Sequence, residues 1–404
     1  MPSLAPSRVV MLGALMSAFA LSQAFRTIAA ILAPPLAREF GLSPAALGIY
    51  AGAFHFSFAL LQFVMGIAID MHGVRRTVLV AFPSAMAGAL VCANAGGFGT
   101  LVVGQALIGI GCAPAFLVCT VFIARRFEPE RFASVSGLAL GIGSVGLLLT
   151  GTPLAWLVER TSWRAGYLAL AACAAFAWLA IFVLVRESGE HAGGKRMRLR
   201  EALGGYGVLF RLPHTAGILL LGLFTYAAFL SLRGLWLGPL LIDRHEFTLV
   251  QTGNVALFVS VVGMAGPPLF GRLDPGPKRR RVWITGFTVA CAVVFATMAF
   301  STSAWLDVAL GLAVGVLSGF IVLQYADVRN AYPAEMTGRA MAVFTMSMFL
   351  GVALMQWLTG AIATAALAAG VEAYFAVLIA IAGFLAVAAA ACRLLPAPQG
   401  TIER

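Results

Sequence analysis

Residues 66–76 of the chain read Gly-Ile-Ala-Ile-Asp-Met-His-Gly-Val-Arg-Arg, and long apolar stretches lie on both sides of them. Glycines at positions 66 and 73 permit a tight turn and a close approach between neighbouring helices. Asp70 can interact with the positive N-terminal end of a helix, and Arg75 can pair with an acidic group. The segment therefore predicts a short polar connection between two helices that cross a membrane.

The composition of the whole chain agrees with a membrane protein. Of its 404 residues, 61% are apolar and 11% are charged, whereas a soluble domain has about 45–50% apolar and about 25% charged residues. These values exclude a soluble globular protein, a disordered chain, a coiled coil and a collagen-like chain. The six cysteines include no Cys-x-x-Cys pair, so neither disulfides nor a zinc site is expected.

Long apolar runs predict twelve transmembrane helices, each of which needs about 20 mostly apolar residues. The first run is too long for a signal-peptide core and lacks a cleavage site, so we interpret it as a retained first span. The predicted spans are residues 8–33, 45–66, 77–96, 100–123, 134–157, 165–185, 214–240, 248–270, 282–301, 305–326, 339–365 and 371–392.

The basic residues between these spans predict the orientation of the chain. If the N-terminus is cytoplasmic, twenty-one Arg and Lys residues lie on the cytoplasmic face and four on the other. This asymmetry places both termini in the cytoplasm and the protein in the cytoplasmic (inner) membrane as a multi-pass protein. The net charge of +11 is thereby explained without a nucleic-acid partner.

An internal repeat divides the chain into two halves of six spans. Residues 1–187 and 214–404 are the predicted six-helix bundles, and the polar stretch 188–213 is the predicted cytoplasmic linker. Parallel six-span halves are typical of transporters whose substrate binds between them near the midplane. At an offset of 205 residues the matching positions include Pro34 and Pro239, Gly48 and Gly253, Gly66 and Gly271, and Arg75–Arg76 and Arg280–Arg281.

Together these features resemble the major facilitator superfamily. Residues 66–76 are similar to its signature G-x-x-x-D-x-x-G-x-R-K/R, residues 271–281 resemble a degenerate second copy, and Trp163-Arg164 before span six is also similar. The resemblance implies an all-α fold of twelve helices in two pseudo-symmetric bundles. It also implies a cytoplasmic gate formed by Asp70 and Arg75. In the second half, Asp327 is a plausible partner for Arg280; the alternative is that these charges only set topology.

The sequence departs from several subfamilies. Gln105 stands where span four of many members has an arginine associated with proton coupling. Span five lacks the full Gly-Pro-x-x-Gly-Gly pattern of drug antiporters, and span one lacks the acidic residue of cation exporters. Members with arginines on spans one and seven transport organophosphates or organic anions, so the resemblance implies anion selectivity but no coupling scheme.

Two arginines lie inside the predicted spans, where a charge costs about 2.5–3.5 kcal/mol unless it has a partner or a cavity. Arg26 lies in span one and Arg233 in span seven, each about 8–9 Å from the midpoint of its span. No carboxylate lies deep in any predicted span to neutralise them. We expect them to clamp an anionic substrate, since Arg forms bidentate contacts with carboxylates and phosphates. The alternative is that each side chain extends outward to the interface.

Other polar and aromatic residues share helical faces with these arginines. His55, near the centre of span two, can change charge near neutral pH and is the candidate for proton coupling, the alternative being a neutral, hydrogen-bonded histidine. For the remaining residues the alternative is packing or interhelical hydrogen bonding. The predicted substrate-binding residues are Gln23, Arg26, His55, Tyr226, Phe229, Arg233, Trp236, Gln324 and Gln356.

The sequence thus predicts a secondary transporter that moves a small organic anion by alternating access, with a proton as a candidate symported ion. We expect a monomer in membrane lipid, with an anionic small molecule as ligand and no cofactor or metal. The alternatives are efflux of amphipathic drugs or metabolites, or anion exchange or uniport. An intramembrane enzyme is not expected, because no Ser/Lys, Asp/Asp or His-Glu-x-x-His arrangement lies in the spans.

Overall fold

The computed structural model describes residues 7–186, 207 and 209–395. Within these residues there are twelve helical spans that are long and apolar enough to cross a membrane, and there is no strand. The predicted all-α architecture with twelve spans is therefore confirmed. Most of the predicted linker 188–213 lies outside the described residues, and the limits of the two bundles remain predictions.

The first half contains spans one to six, several of which are interrupted. The spans comprise Arg8–Thr27 with Ala29–Phe40 (one), Pro44–Ala93 (two and three), Phe98–Cys112 with Ala115–Arg126 (four), Pro129–Gly143 with Val145–Leu149 and Thr152–Arg160 (five) and Trp163–Leu184 (six).

The second half has the same order of spans. Its spans comprise Pro213–Ser231 with the π-helical turn Leu232–Trp236 and Leu237–His245 (seven), Leu249–Arg272 (eight), Pro277–Phe300 (nine), Ala304–Leu317 with Ser318–Phe320 and Ile321–Ala331 (ten), Ala334–Ala368 (eleven) and Ala373–Leu394 (twelve).

Short polar residues fix where several spans begin. At each such N-cap a Ser or Thr oxygen accepts a hydrogen bond from a backbone N–H of the first turn, which would otherwise have no partner. Thr248 additionally forms a reciprocal capping box with Gln251. The capping residues are Ser7, Ser43, Ser162, Thr248 and Ser303.

The connection between spans two and three is tighter than the predicted loop. Helical structure continues on both sides of Gly73, which alone departs from it with φ 82° and ψ 169°. Gly276, which precedes span nine, has nearly the same conformation, φ 81° and ψ 170°. Gly73 and Gly276 are 203 residues apart, two fewer than the offset of 205 that relates the other matching positions of the two connections. Only glycine adopts this positive φ without strain.

The two halves pack closely at one end of the bundle. We call the end that carries Arg8 and Leu394 the terminal end, and the other the opposite end. At the opposite end, a Cβ on Gly238 of span seven would overlap the carbonyl oxygen of Ala30 in span one. A Cβ on Gly253 of span eight would lie 2.6 Å from the Cβ of Ala155 in span five. Glycines here therefore let the halves touch through their backbones.

Contacts at the terminal end are sparser. No atom lies within 4 Å of a Cβ built on Gly141, Gly271 or Gly338, which lie toward this end of spans five, eight and eleven. The hydrogen bonds seen between described residues of the two halves lie in the middle or toward the opposite end, for example Ala45 N to Thr364 Oγ1 at 3.0 Å. The described residues thus show a bundle closed at its opposite end.

Each half also ties its first and sixth spans together at the opposite end. In the first half, Glu39 at the end of span one pairs with Arg164 of span six at 2.7 Å and accepts a hydrogen bond from Trp163. In the second half, Arg244 at the end of span seven pairs with Glu372, which immediately precedes span twelve, at 2.7 Å. The two ion pairs occupy corresponding places with their charges reversed.

Candidate functional site

Arg26 lies at the centre of the contact between the halves. Its Nη1 donates a hydrogen bond to the Tyr226 hydroxyl at 3.3 Å. Its guanidinium carbon lies 5.1 Å from the ring centre of Phe58 and 4.5 Å from that of Phe349, which is the range of cation–π contacts. These neighbours belong to spans two, seven and eleven, so Arg26 of span one touches both halves.

Polar atoms without hydrogen bonds surround this arginine. The Nε of Arg26, the Oε1 of Gln23 and the Nε2 of His55 are buried and have no hydrogen-bond partner of normal geometry among the described residues. The same holds for both side-chain amide atoms of Gln356, which lies close to His55. A buried unpaired polar group costs about 1–3 kcal/mol, so such a concentration indicates a place for a ligand.

We call these seven residues of spans one, two, seven and eleven the central cluster: Gln23, Arg26, His55, Phe58, Tyr226, Phe349 and Gln356. Five of the nine predicted substrate-binding residues belong to it. The His55 ring has a defined orientation, because its Nδ1 lies 3.2 Å from the Ala51 carbonyl. A carbonyl only accepts, so the neutral ring donates from Nδ1 and presents Nε2 as an acceptor.

Arg233 is fully buried, but its hydrogen bonds go elsewhere. Its Nε donates to the Ala256 carbonyl and the Ser260 hydroxyl of span eight, each at 3.0 Å. Its Nη2 donates to the Leu147 carbonyl of span five in the other half at 3.1 Å. Its Nη1 has no partner in the described residues. A joint clamp with Arg26 on one anion remains a prediction.

Neither arginine extends outward to the interface, so that alternative is wrong in this structure. The exposed fraction is 6% for Arg26 and zero for Arg233. Both helices also run farther than predicted, to Phe40 and His245. Arg26 therefore lies about 3 Å and Arg233 about 6 Å from the midpoint of its helix, closer than the predicted 8–9 Å.

The π-helical turn Leu232–Trp236 contains Arg233 and was not predicted. Such turns insert an extra residue into a helix and are frequent at functional sites. Here the turn precedes the close approach of Gly238 to span one. No sequence pattern used for helix assignment distinguishes a π-turn from the surrounding α-helix.

Besides Arg233, three of the predicted site residues lie outside the central cluster. Trp236 donates to the Thr359 hydroxyl at 2.9 Å, and Gln324 exchanges hydrogen bonds with Thr225 at 2.9–3.0 Å. Phe229 is half-buried against the apolar core. Gln324 therefore forms an interhelical hydrogen bond, which is the alternative role given for it above.

Phe58 and Phe349 were missed by the sequence analysis, although a signal was present. Phe58 lies three residues after His55 on one helical face, and Phe349 lies seven residues before Gln356 on another. Gln105 of span four donates to the Tyr167 hydroxyl at 2.7 Å. Tyr167 also contacts the Tyr50 hydroxyl, and this buried network lies within the first half.

Of the two predicted gate residues of the first half, the structure describes the side chain of Arg75. Arg75 donates to the Phe182 carbonyl of span six at 2.9 Å, within its own half. The Asp70 side chain lies outside what the structure describes, so its gate role remains a prediction.

The predicted pairing of Arg280 with Asp327 is wrong. Arg280 instead binds Asp274 with two hydrogen bonds at 2.6 and 3.0 Å, and Asp327 pairs with Arg281 at 3.3 Å. The connection before span nine leaves residues 273–276 outside the helices, and its Asp274 carboxylate lies within reach of Arg280. The next arginine then faces span ten.

Arg280→Gln is expected to raise the pKa of Asp274. The hydrogen bond from Arg280 is the main cause that holds this pKa below its ordinary value, with help from the Gly276 N–H. The pair therefore stabilises the fold above the ordinary carboxyl pKa, and this contribution is lost as pH falls through the lowered value. We expect a loss of about 1 kcal/mol at neutral pH that shrinks below about pH 4. Thermal unfolding at several pH values, with the exposed Arg279→Gln as control, measures it; equal losses in both variants would contradict it.

Comparison with known proteins identifies the family. A sequence model of the Major Facilitator Superfamily matches residues 15–355. The chain belongs to this superfamily. It is therefore a multi-pass membrane protein of a transporter superfamily, as the sequence predicted.

Individual relatives of this superfamily member are distant. A hexuronate transporter of Bacillus subtilis (strain 168) is 23% identical over 256 residues, which cover 60% of this chain and 58% of that protein. An MFS-type efflux pump of Mycolicibacterium smegmatis is 26% identical over 342 residues, 79% of this chain and 76% of that protein. The match to the hexuronate transporter thus spans little more than half of that relative.

A solved structure shares the fold. The bacterial homologue of the human lysosomal transporter Spinster, in an inward-facing and occupied conformation, superposes with a TM-score of 0.74 at 15% identity. The alignment covers 96% of each chain. At this identity the likeness establishes the fold alone.

Proposed function

We propose that this transporter moves a small organic anion across the cytoplasmic membrane by alternating access. The observation that carries the proposal is Arg26, a buried cation at the meeting point of the halves. Among the described residues, no carboxylate forms an ion pair with Arg26 or Arg233. A buried charge without a counter-ion is strongly unfavourable. An anionic substrate would supply the missing charge.

The surroundings of Arg26 suit a hydroxylated carboxylate. The carboxylate of the substrate would bind the Arg26 guanidinium. The substrate hydroxyls, which both donate and accept hydrogen bonds, would satisfy Gln23, His55 and Gln356. Phe58 and Phe349 would cover the apolar face of the molecule. The hexuronate transporter among the relatives supports this substrate class, since a hexuronate is a hydroxylated carboxylate.

Alternating access would use the glycine-lined contacts at the opposite end. With both termini in the cytoplasm, the described arrangement is closed toward the outside. Rocking of the halves would separate Gly238 from Ala30 and release Arg233 from the Leu147 carbonyl. Asp70 and Arg75 would then help to close the cytoplasmic side. We propose that the unit of transport is a monomer.

The coupling ion forms a separate part of the proposal. His55 lies next to Arg26 and is the carrier that the sequence suggests for proton symport. A bound anion would partly cancel the charge of Arg26, so that anion and proton would favour each other's binding. Anion exchange and uniport are the alternatives, and the transport assay described below separates them.

Efflux of amphipathic compounds is the second candidate function. The efflux pump among the relatives covers more of this chain than the hexuronate transporter does. The aromatic residues Phe58, Tyr226 and Phe349 would also suit an apolar organic body. Two buried arginines, however, disfavour a cationic compound.

A thermal-shift panel on the purified protein tests the proposed function. Hexuronates and other hydroxylated carboxylates are expected to raise the melting temperature, because a ligand that binds only the folded state stabilises it. Organophosphates, sulfonates and cationic drugs complete the panel. Arg26→Ala should abolish the carboxylate shift. Stabilisation by cationic drugs, with none by carboxylates, would favour the efflux function instead.

A further inference from the structure

A carboxylate lies in a cleft of the second half, away from the central cluster. The cleft is formed by spans seven, nine, ten and eleven toward the terminal end. Asp327 is the one charged residue among those that line it, and its side chain is 8% exposed. The other lining residues are Ile218, Leu221, Ile284, Gln324, Val328 and Phe344. An ionised carboxylate in such apolar surroundings depends on its few polar neighbours.

The charged groups that face Asp327 come from two spans. Arg281 of span nine pairs with it at 3.3 Å, and Arg280 of the same span lies nearby but is held by Asp274. His214, in the first turn of span seven, also interacts electrostatically with Asp327. The His214 ring is 8% exposed, lies against Tyr332 and has a buried Nε2 without a hydrogen bond in the described part of the chain.

A short path connects this cleft to the central cluster. Gln324 lies one helical turn before Asp327 and lines the same cleft. Gln324 is hydrogen-bonded to Thr225 of span seven. The next residue, Tyr226, accepts the hydrogen bond from Arg26. These contacts link span ten, one helical turn from Asp327, to the residue that touches Arg26.

We propose that Asp327 binds a proton during the transport cycle, with Arg281 and His214 as the cations that set its charge state. Uptake of one proton converts the carboxylate to the neutral acid, which ends the ion pair with Arg281 and frees that guanidinium. Loss of the proton restores the pair. This inference rests on the proposed function in one respect, which is that the substrate transported with the proton is an organic anion.

This assignment differs from the one that the sequence suggested. His55 has the cation Arg26 beside it and donates from Nδ1 to a carbonyl, so it serves as a neutral acceptor for substrate hydroxyls. Asp327 is a carboxylate with a single ion-pair partner, and neutralisation changes its contact with another span. Proton binding at Asp327 and anion binding at Arg26 are then coupled through spans seven and ten.

The first test measures protonation without any substrate. Infrared difference spectra of the wild type between acidic and alkaline buffer are expected to contain the C=O band of a protonated carboxyl group. Asp327→Asn should remove this band, and Asp274→Asn, which changes a carboxylate outside the cleft, should leave it. Asp327→Glu should shift the band and serves as well if the asparagine variant does not fold. A band that is identical in all variants would overturn the proposal.

The second test measures coupling in proteoliposomes with radiolabelled glucuronate as the probe. A gradient of one pH unit is expected to drive about tenfold accumulation by the wild type at one proton per substrate. Asp327→Asn should lose this accumulation but retain counterflow. His55→Gln is expected to bind glucuronate more weakly and take it up more slowly, but the ratio that it reaches at steady state should still rise with the gradient. Gradient-driven accumulation by Asp327→Asn would contradict the assignment, and loss of it in His55→Gln alone would return the role to His55. Absence of wild-type counterflow would count against glucuronate as substrate, and the infrared result would still decide on Asp327.

Discussion

Arg26→Ala is expected to weaken anion binding about 10–150-fold, because a charge-assisted hydrogen bond contributes about 1.5–3 kcal/mol. The variant should still insert and fold, since Arg26 forms no ion pair with a described residue and its loss removes a buried charge. Titration of the purified protein with the best carboxylate from the thermal-shift panel measures the change. Arg38→Ala, near the opposite end of the same span, is the matched control and should bind as the wild type does. Wild-type affinity in Arg26→Ala would refute the role of Arg26.

Arg233→Ala is expected to give a different phenotype from Arg26→Ala. Both were expected from the sequence to remove substrate contacts. Arg233, however, donates its hydrogen bonds to spans five and eight. The hydrogen bond to span five joins the two halves. We therefore expect its loss to weaken closure of the opposite end in addition to any effect on affinity.

Gly238→Ala is expected to disfavour the closed opposite end about 5- to 150-fold. The added methyl group would overlap the Ala30 carbonyl oxygen, and forced overpacking costs about 1–3 kcal/mol. Transport should fall accordingly, because the cycle requires this closure. A cysteine introduced at Thr152, beside the contact between the halves, should react faster with an impermeant maleimide in the Gly238→Ala background.

Gly286→Ala provides the control for this experiment. A Cβ at Gly286 of span nine meets no atom within 4 Å, so the same chemical change should leave transport and labelling unchanged. If Gly238→Ala transports and labels like Gly286→Ala, the close approach of spans one and seven is not needed for the cycle.

The sequence predicted the parts of this structure that depend on single helices. Twelve spans follow from apolar runs alone, because the bilayer sets a minimum length for each helix. Arg26, His55 and Gln356 stand out since a polar residue in such a run needs a partner. The pairing of Arg280 with Asp327 failed because Asp274, in the connection before span nine, binds Arg280 and leaves Arg281 to pair with Asp327.

Features that depend on contacts between helices were harder to predict. Phe58 and Phe349 look like any apolar residue of a span until spans one, two and eleven are brought together. Arg26 and Arg233 have separate surroundings because of the π-helical turn and the directions of their side chains. Hydrophobic periodicity predicts neither the turn nor these directions. The first and seventh helices also extend beyond the predicted spans, to Phe40 and His245.

The reversed ion pairs, Glu39 with Arg164 and Arg244 with Glu372, bear on how the two halves diverged. If both descend from one duplicated ancestor, at least one half exchanged the signs of two residues that lie more than a hundred positions apart in sequence. A single exchange would have left two like charges facing each other, so the changes must have been compensatory. Related chains should accordingly vary at these positions in pairs, and the polarity in one half should carry no information about the polarity in the other.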